Sequence, residues 1–372
     1  MTDRRAAFDL SRRSFLRAAL TSAVAVPAWT GAAWGADEAP AKPGIPLGID
    51  NFAVRAMGWK APQLIEYAAR LQVDILFITD LDAFESLETK ALLPIRKQAD
   101  DAGLKIYLGS WSICPTSTTF RNNRGTAEEH LRLGIRAAKD LGSPVIRVIL
   151  GNGSDRLTPG GIEARIADTV KVCKACRSEA IDSGVKIAVE NHAGDMQSGE
   201  LVQLIEEAGN DYVGANMDSG NAVWTLEDPM TNLETLGPYV ITTSLRDSAI
   251  WESPKGLTVQ WTAMGDGNID WKPYFARFAE LCPGVPVNIE TISGFNREIP
   301  YLTEEYWKAW PKVKAKDLAR MIAIAKTGKP RDPWSPPAGA DRKLAEQEAQ
   351  KSEIEQSIAY CKKIGLGRTP AR

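Results

Sequence analysis

Short apolar runs alternate with longer amphipathic stretches over most of this 372-residue chain. The short runs are rich in Val, Ile and Leu, which is typical of strands buried on both faces. They predict eight strands, over Pro46–Ile49, Val73–Ile78, Lys105–Leu108, Val145–Leu150, Val185–Val189, Tyr212–Met217, Val240–Leu245 and Val285–Ile289. Apolar residues at every third or fourth position predict helices between them, over Ala61–Leu71, Glu88–Ala102, Ala127–Leu141, Gly161–Asp182, Ser198–Ala208, Pro229–Leu236 and Trp271–Leu281.

This alternation predicts a parallel sheet, because parallel neighbours need a crossover helix. Eight repeats close most simply into an α/β (β/α)8 TIM barrel. A doubly wound open sheet is the competing fold, but no Gly-x-Gly-x-x-Gly follows the first strand. Beyond the eighth strand, 302–326 is predicted as the closing helix, 328–340 as a Pro-rich linker, and 344–364 as a charged amphipathic helix. That last helix packs on the barrel wall or on a second subunit, so an oligomer stays open.

The first residues have the features of a twin-arginine signal peptide. Arg12-Arg13 is followed by Phe-Leu, an apolar run from Ala18 to about Ala33, and small residues before Ala36. We therefore expect export by the twin-arginine machinery to the periplasm or outside the cell. The predicted organisation is signal peptide 1–35, barrel 36–327, and linker with C-terminal helix 328–372. The cleavage site has no Cys, so we expect no lipid anchor. No later apolar run reaches the ~18 residues of a membrane span.

Charge and cysteine content narrow the function classes. The net charge is −2, and the first 35 residues carry five Arg and two Asp, so the remainder carries −5. This argues against a nucleic-acid surface, which needs a basic stripe. The five cysteines are odd in number, and Cys173-x-x-Cys176 lies in a helical pattern, which favours packed thiols over a redox pair.

Three carboxylates follow predicted strands directly: Glu190, Asp218 and Glu290. In a TIM barrel the carboxyl ends of the strands surround one site, so these side chains should converge. Converging carboxylates repel, and a divalent metal ion is the usual remedy. The alternative is that each carboxylate only caps the helix that follows.

Five ordered segments resemble the xylose isomerase-like TIM barrels: Glu190-Asn191-His192, Asp218-Ser219-Gly220-Asn221, Ser244-Leu245-Arg246-Asp247, the run 265–271, and Ile289-Glu290. The resemblance covers roughly residues 44–326. This superfamily holds sugar phosphate isomerases and epimerases, inosose dehydratases and family-2 apurinic endonucleases. In the isomerase branch a Glu, an Asp, a His and a Glu bind one divalent ion, and the resemblance places them at Glu190, Asp218, Ser244 and Glu290.

Ser244 departs from that pattern, since relatives commonly have His there. A serine hydroxyl is a poor ligand, so the fourth position is left to water or to Gln260 in the following segment, and loss of the metal stays open. An oxygen-rich site favours Mn²⁺ or Mg²⁺ over Zn²⁺. Only two histidines occur, His130 and His192, too few for the zinc cluster of the nuclease branch. His130 is expected on the surface of a helix.

The remaining candidates suit a sugar. Trp111 and Trp224 follow strands and can stack on a sugar ring, although packing at the barrel mouth explains them equally well. Asn191, Asn221 and His192 can hydrogen-bond hydroxyl groups. Arg147 and Arg246 need a carboxylate partner or an anionic ligand, and Arg246 is a candidate substrate contact.

These observations predict a metal-dependent sugar or keto-sugar isomerase or epimerase. Glu190 or Glu290 would remove a proton next to a carbonyl, the metal would hold the enediolate, and the other carboxylate or His192 would return the proton. One alternative is a lyase or dehydratase acting on oxidised glycosides or inososes. Another is a sugar-binding barrel without catalysis. The expected partner is a small carbohydrate.

Overall fold

Eight short parallel strands form a nearly closed ring. The computed structural model describes residues 44–367. The ring consists of β1 (Leu47–Asp50), β2 (Ile75–Ile78), β3 (Lys105–Ser112), β4 (Val145–Ile149), β5 (Lys186–Glu190), β6 (Val213–Met217), β7 (Val240–Thr243) and β10 (Val287–Ile289). They pair in the order β10-β1-β2-β3-β4-β5-β6-β7. A bridge from Leu245 to Ile289 closes the ring, with the Leu245 N–H donating to the Asn288 carbonyl at 2.8 Å. The predicted TIM barrel is confirmed.

Helices cover the outside of this ring, except for one short helix at its carboxyl end. They are α1 (Ala61–Arg70), α2 (Thr89–Asp101), α3 (Ala127–Leu141), α4 (Gly161–Ala175), α5 (Arg177–Ser183), α6 (Ser198–Ala208), α7 (Ser219–Val223), α8 (Pro229–Leu236) and α9 (Trp271–Leu281). Short 3-10 helices follow three strands, over Asn51–Met57, Leu81–Ala83 and Gly153–Leu157, and another, Gly237–Tyr239, precedes β7. The helix predicted over 161–182 is two helices, since Cys176 leaves helical geometry at φ −110°.

A small antiparallel sheet lies beside the barrel, and the sequence analysis did not predict it. Its strands are β8 (Asp247–Ser253), β9 (Gly256–Thr262) and β11 (Asn296–Ile299), in the order β11-β9-β8. The tight connection from β8 to β9 needs Gly256, whose φ is +153°. A Cβ there would lie 2.3 Å from the Ile299 carbonyl oxygen, so a larger residue would push β11 away.

The C-terminal part differs from the expected single closing helix. Residues 302–326 form two helices, α10 (Glu304–Ala309) and α11 (Ala315–Ala325), separated at Pro311, and α11 packs on β8. The predicted C-terminal helix is α12 (Arg342–Lys363), which packs on the barrel itself. Its Gln350 Oε1 accepts a hydrogen bond from the Ala56 N–H at 2.9 Å.

Two further sequence predictions concern export and the cysteines. The twin-arginine segment lies outside residues 44–367, so export stays a prediction. Within the described range, no helix has both the length and the apolar character needed to cross a bilayer.

All five cysteines are buried free thiols, and burial raises the pKa of Cys173 to about 12 and of Cys176 to about 11. High pKa values favour the predicted packed thiols over a redox pair.

Candidate active site at the carboxyl end of the barrel

A cavity of about 430 Å³ opens at the carboxyl ends of the strands. Its size falls within the range of small-molecule sites, roughly 300–1,000 Å³. The lining includes Ser110, Trp111, His130, Arg147, His192, Asn221, Trp224, Arg246, Trp261 and Glu290. Charged, hydrogen-bonding and aromatic groups therefore meet at this mouth of the barrel, as the strand-end residues predicted.

The three predicted carboxylates converge at the floor of this cavity. One carboxylate oxygen each from Glu190, Asp218 and Glu290 lies within 4.8 Å of the others. Glu190 ends β5, Asp218 follows β6 and Glu290 follows β10. Only Glu290 lines the cavity, whereas Glu190 and Asp218 are fully buried beneath it. Asp218 also caps α7, accepting hydrogen bonds from the Gly220 and Asn221 N–H groups, so the capping alternative holds for that residue in addition to convergence.

Two buried arginines pair with these carboxylates. Arg246 Nη2 donates to Asp218 Oδ2 and also to Glu290 Oε2, the latter at 2.5 Å. Arg147 Nε donates to Glu190 Oε2 at 2.5 Å. Both guanidinium groups line the cavity. The internal pairing that the sequence left open is therefore observed for both arginines. A substrate that contacts Arg246 would lie next to the carboxylates with which Arg246 pairs.

A fourth carboxylate, Asp50, belongs to the same buried group and was missed by sequence reasoning. Its Oδ1 accepts from the Phe52 N–H and from Thr79 Oγ1, and its Oδ2 accepts from Ser244 Oγ at 3.3 Å. Asp50 ends β1, at a position equivalent to Glu190 on β5. The signal was present in the sequence, because Asp50 is a carboxylate that follows an apolar strand in the same way as the three predicted ones.

The four acids do not titrate alike. Burial raises the pKa of Glu290 well above its usual range, against the opposing attraction of Arg246. Burial also raises the pKa of Asp218 to about 7 and that of Asp50 to about 6. Burial disfavours the charge of Glu190 too, but there the contact with Arg147 outweighs it and lowers the pKa. Burial therefore favours the neutral form of Glu290, whereas Arg147 favours the ionised form of Glu190.

His192 is held in one tautomer at the cavity wall. Its Nδ1 lies 2.6 Å from the Gly151 carbonyl oxygen, and a carbonyl only accepts, so Nδ1 carries the proton. Burial lowers the pKa of His192 to about 4. The ring is therefore neutral at physiological pH, and Nε2 has a free lone pair that can accept a proton or a hydroxyl hydrogen bond.

His130 was predicted on the surface of a helix, and this prediction is wrong. Residue 130 is 3% exposed and lines the cavity, with Nε2 at 2.5 Å from Ser110 Oγ. The capping box of Thr126 and Glu129 fixes the start of α3, so His130 lies on the face that turns towards the barrel. Burial lowers the pKa of His130 to about 4, so this ring is also neutral.

Two predicted contacts lie elsewhere. The Asn191 side chain donates to the Asp218 carbonyl and accepts from the Asp218 N–H, so it positions that residue and is absent from the cavity wall. Gln260, the candidate fourth ligand, donates to Asn296 Oδ1 and the Asp332 carbonyl. It lies on β9, where side chains alternate, so its neighbour Trp261 faces the cavity instead.

Asn221 and Ser244 connect the buried acids. Asn221 lines the cavity and donates from Nδ2 to Asp218 Oδ2 at 2.6 Å and to Glu190 Oε1 at 3.2 Å. Ser244 is fully buried below the cavity, and its Oγ accepts from Asn216 Nδ2 at 3.2 Å. Ser244 therefore belongs to the hydrogen-bond network under the site. It does not reach the cavity wall.

Aromatic side chains form the walls. Trp111 meets the His192 ring edge-on, with centroids 5.7 Å apart. Trp224 stacks on Trp261 with centroids 4.3 Å apart and an interplanar angle of 3°. The Arg246 guanidinium lies 4.3 Å from the Trp261 ring centroid. Trp261 was missed because it lies on the antiparallel sheet, which the alternation of strands and helices does not predict.

Two known proteins are similar to this chain in sequence. The chain is 28% identical over 120 residues to the uncharacterized protein YihM of Escherichia coli K12, and these span 32% of this chain and 36% of that protein. It is 21% identical over 260 residues to 3-oxo-isoapionate decarboxylase of Pectobacterium atrosepticum, which is 69% of this chain and 81% of that protein.

Solved structures give the same result. A D-psicose 3-epimerase structure determined in the presence of D-fructose has a TM-score of 0.55 at 16% identity, covering 87% of this chain and 100% of that one. The IolI protein with a bound zinc atom has a TM-score of 0.52 at 16% identity, covering 76% of this chain and 95% of that one. The sequence matches the family described as xylose isomerase-like TIM barrel over residues 53–322, and the chain belongs to that family.

Proposed function

We propose that this protein is a sugar or keto-sugar isomerase or epimerase that moves a proton next to a carbonyl group. The observation that carries the proposal is the convergence of Glu190, Asp218 and Glu290 at the floor of one cavity. A D-psicose 3-epimerase of the same fold adds support for a sugar substrate. The tryptophan walls fit the apolar face of a sugar ring, and Asn221 and His192 fit its hydroxyl groups.

We assign proton transfer to two of the groups on the cavity wall. Glu290 is the one carboxylate of the cluster that lines the cavity, and His192 is a neutral base with its lone pair on Nε2. A base and an acid on the wall allow a proton to leave one carbon and return to it or to its neighbour. Glu190 and Asp218 lie deeper, so in this proposal they set the charge around Glu290 and do not touch the substrate.

The family implies a divalent metal ion, and the residues fit one. Three carboxylates within 4.8 Å form an all-oxygen donor set, which favours Mn²⁺ or Mg²⁺. Four buried carboxyl groups face only two guanidinium groups, and the Asn216 Oδ1 atom beside Glu190 has no hydrogen-bond partner. Glu190, Asp218 and Glu290 would hold the ion, which when bound polarises the carbonyl and hydroxyl oxygens of a substrate.

Solvent deuterium exchange tests the proposed reaction. The protein is incubated in D₂O with keto sugars, 3-oxo-glycosides, aldoses and inososes, and the loss of substrate C–H signal is followed by NMR. The proposal expects exchange for at least one of these compounds, together with a manganese or magnesium content that rises when the protein is purified without chelator. If sugars bind but none of the compounds exchanges a proton with the solvent, the protein is a sugar-binding barrel.

A lyase or decarboxylase is the second candidate, favoured by one feature of the cavity. The exposed Arg121 lies over the Trp111 ring at 5.1 Å and lines the mouth, without a carboxylate partner within residues 44–367. Such a cation suits an acidic substrate, and the decarboxylase relative is named for a 3-oxo acid. Release of carbon dioxide, water or an alcohol during the exchange assay would select this candidate.

Export completes the proposal. The segment from Ser11 to Leu16 and the apolar run behind it fit a twin-arginine signal. Amino-terminal sequencing of the periplasmic protein should give a start near Ala36. An intact Met1 on folded cytoplasmic protein, unaffected by R12K plus R13K, would contradict it.

A further inference from the structure

A second cavity of about 280 Å³ lies on the other side of Trp224 from the carboxylates. Its walls come from the 3-10 helix Gly153–Leu157, from β11 and from α10. Trp224 is the one residue that lines both this cavity and the first. The volume is close to the lower limit of small-molecule sites, roughly 300 Å³, so the space suits a single ring.

This second cavity has a cation without a fixed partner. Arg297 lies with its Cζ 4.3 Å from the Trp224 ring centroid. The neighbouring Glu298 pairs instead with Lys255, and within residues 44–367 no carboxylate pairs with Arg297. A guanidinium group in contact with an aromatic ring and without a carboxylate partner keeps N–H donors from which a ligand oxygen can accept.

The aromatic wall has unsatisfied polar atoms as well. The Tyr306 hydroxyl and the Trp224 Nε1 are buried and have no hydrogen-bond partner. Trp310 completes the wall, fixed from behind by the Arg156 guanidinium at 3.9 Å from its ring centroid. Polar groups next to flat aromatic faces match a ring that carries several oxygens, which is the chemistry of a sugar.

A series of stacked side chains runs from the first cavity to the second. Arg246, which pairs with Asp218 and Glu290, contacts Trp261, Trp261 stacks on Trp224, and Trp224 contacts Arg297. Each of the three steps measures 4.3 Å. A group bound at Arg297 therefore lies against the same tryptophan that forms a wall of the candidate active site.

We infer that the second cavity binds a second sugar ring, so that the substrate is a two-ring glycoside and not a free monosaccharide. One ring occupies the carboxylate cavity, and the other contacts Arg297, Tyr306 and Trp310. This inference rests on the proposed function for the identity of the first cavity. Binding energy from the remote ring would then help to position the reacting one.

Calorimetric titration with matched sugars tests the inference on the full protein. The pairs are glucose with cellobiose, galactose with lactose, and xylose with xylobiose. We expect the two-ring member of at least one pair to bind at least ~10-fold more tightly, which corresponds to about 1.4 kcal/mol. R297A should reduce that ratio to about twofold, a loss of roughly 1 kcal/mol, whereas R136A, on the exposed face of α3, should leave it unchanged.

Y306F separates a ligand contact from a structural role. The Tyr306 hydroxyl has no partner, so its removal should leave the melting temperature unchanged or raise it while lowering the two-ring preference. Absence of any two-ring preference in the wild type overturns the inference, as does an equal loss of affinity for both members of a pair in R297A. Two-ring binding without deuterium exchange would defeat the proposed function and leave the second cavity standing.

Discussion

The barrel and the antiparallel sheet contribute opposite kinds of surface to one cavity. The barrel supplies the floor, where buried acids are balanced by Arg147 and Arg246. The sheet supplies Trp261, and the segment leading to β11 supplies Phe295, which meets both Trp224 and Trp261 edge-on. The floor relies on buried ion pairs, whereas the wall relies on contact area. Substitutions in the floor should therefore cost far more than substitutions in the wall.

The largest effect is expected for R246A. This change leaves Asp218 and Glu290 buried without their shared cation, which typically costs about 3–5 kcal/mol. Urea unfolding in the presence of EDTA measures the loss. MnCl₂ added in excess of the EDTA should restore part of it, because the ion can replace the missing positive charge.

Arg277 provides a matched control for this change. It also pairs with two carboxylates, Glu234 and Glu280, but on the protein surface. R277A should change the unfolding free energy far less, since water solvates the released carboxylates. Equal losses in R246A and R277A would show that the floor is not specially dependent on charge balance.

The next effect concerns the reaction. E290Q keeps the shape of the cavity floor but removes the proton-transfer group, so deuterium exchange should slow by at least ~10²-fold. E252Q, an exposed position on the antiparallel sheet, serves as the control and should exchange at the wild-type rate. Retention of exchange in E290Q would point to His192 as the sole proton-transfer group.

A buried barrel acid without a cation should show a clear pH dependence. Burial raises the pKa of Glu227 from 4.5 to about 7, and both carboxylate oxygens accept from Ser198. The native state therefore holds this proton more tightly than the unfolded state. Its stabilising effect is complete below about pH 4.5 and is lost as the pH rises towards 7.

Comparison with E227Q isolates that contribution. Glutamine does not titrate, so the free energy of unfolding of the wild type should fall relative to E227Q by roughly 2–3 kcal/mol between these pH values. Denaturant unfolding at several pH values measures the difference. Parallel pH profiles for the two proteins would contradict the raised pKa.

The smallest effect is expected in the aromatic wall. W261F retains an aromatic ring but reduces the stacking on Trp224 and the contact with Arg246, which together contribute roughly 0.5–1.5 kcal/mol. Sugar affinity should fall by about 3- to 10-fold in calorimetric titration, with little change in exchange at saturating sugar. W334F, at a position 36% exposed and outside the cavity, is the control.

The same contrast explains what could be predicted from the sequence. Barrel strands are buried on both faces and appear as apolar runs, so all eight were found, and Glu190, Asp218 and Glu290 followed from their positions after those runs. Tertiary contacts carry no such pattern. The Asn191 side chain bonds to the Asp218 backbone, and Gln260 points away from the cavity because side chains alternate along β9. His130 is buried on the inner face of α3.

The packing of α12 sets an order on the assembly of the chain. Gln350 bonds to Ala56, a sequence separation of 294 residues, and Ile354, Ile358 and Cys361 join the main hydrophobic core. During synthesis on the ribosome, the first strand and the 3-10 helix after it lack their contacts with α12 until nearly the whole described chain has been made. Contacts at such long separation slow folding and leave apolar surface exposed meanwhile. A nascent chain halted before residue 342 should therefore depend on chaperones for its solubility.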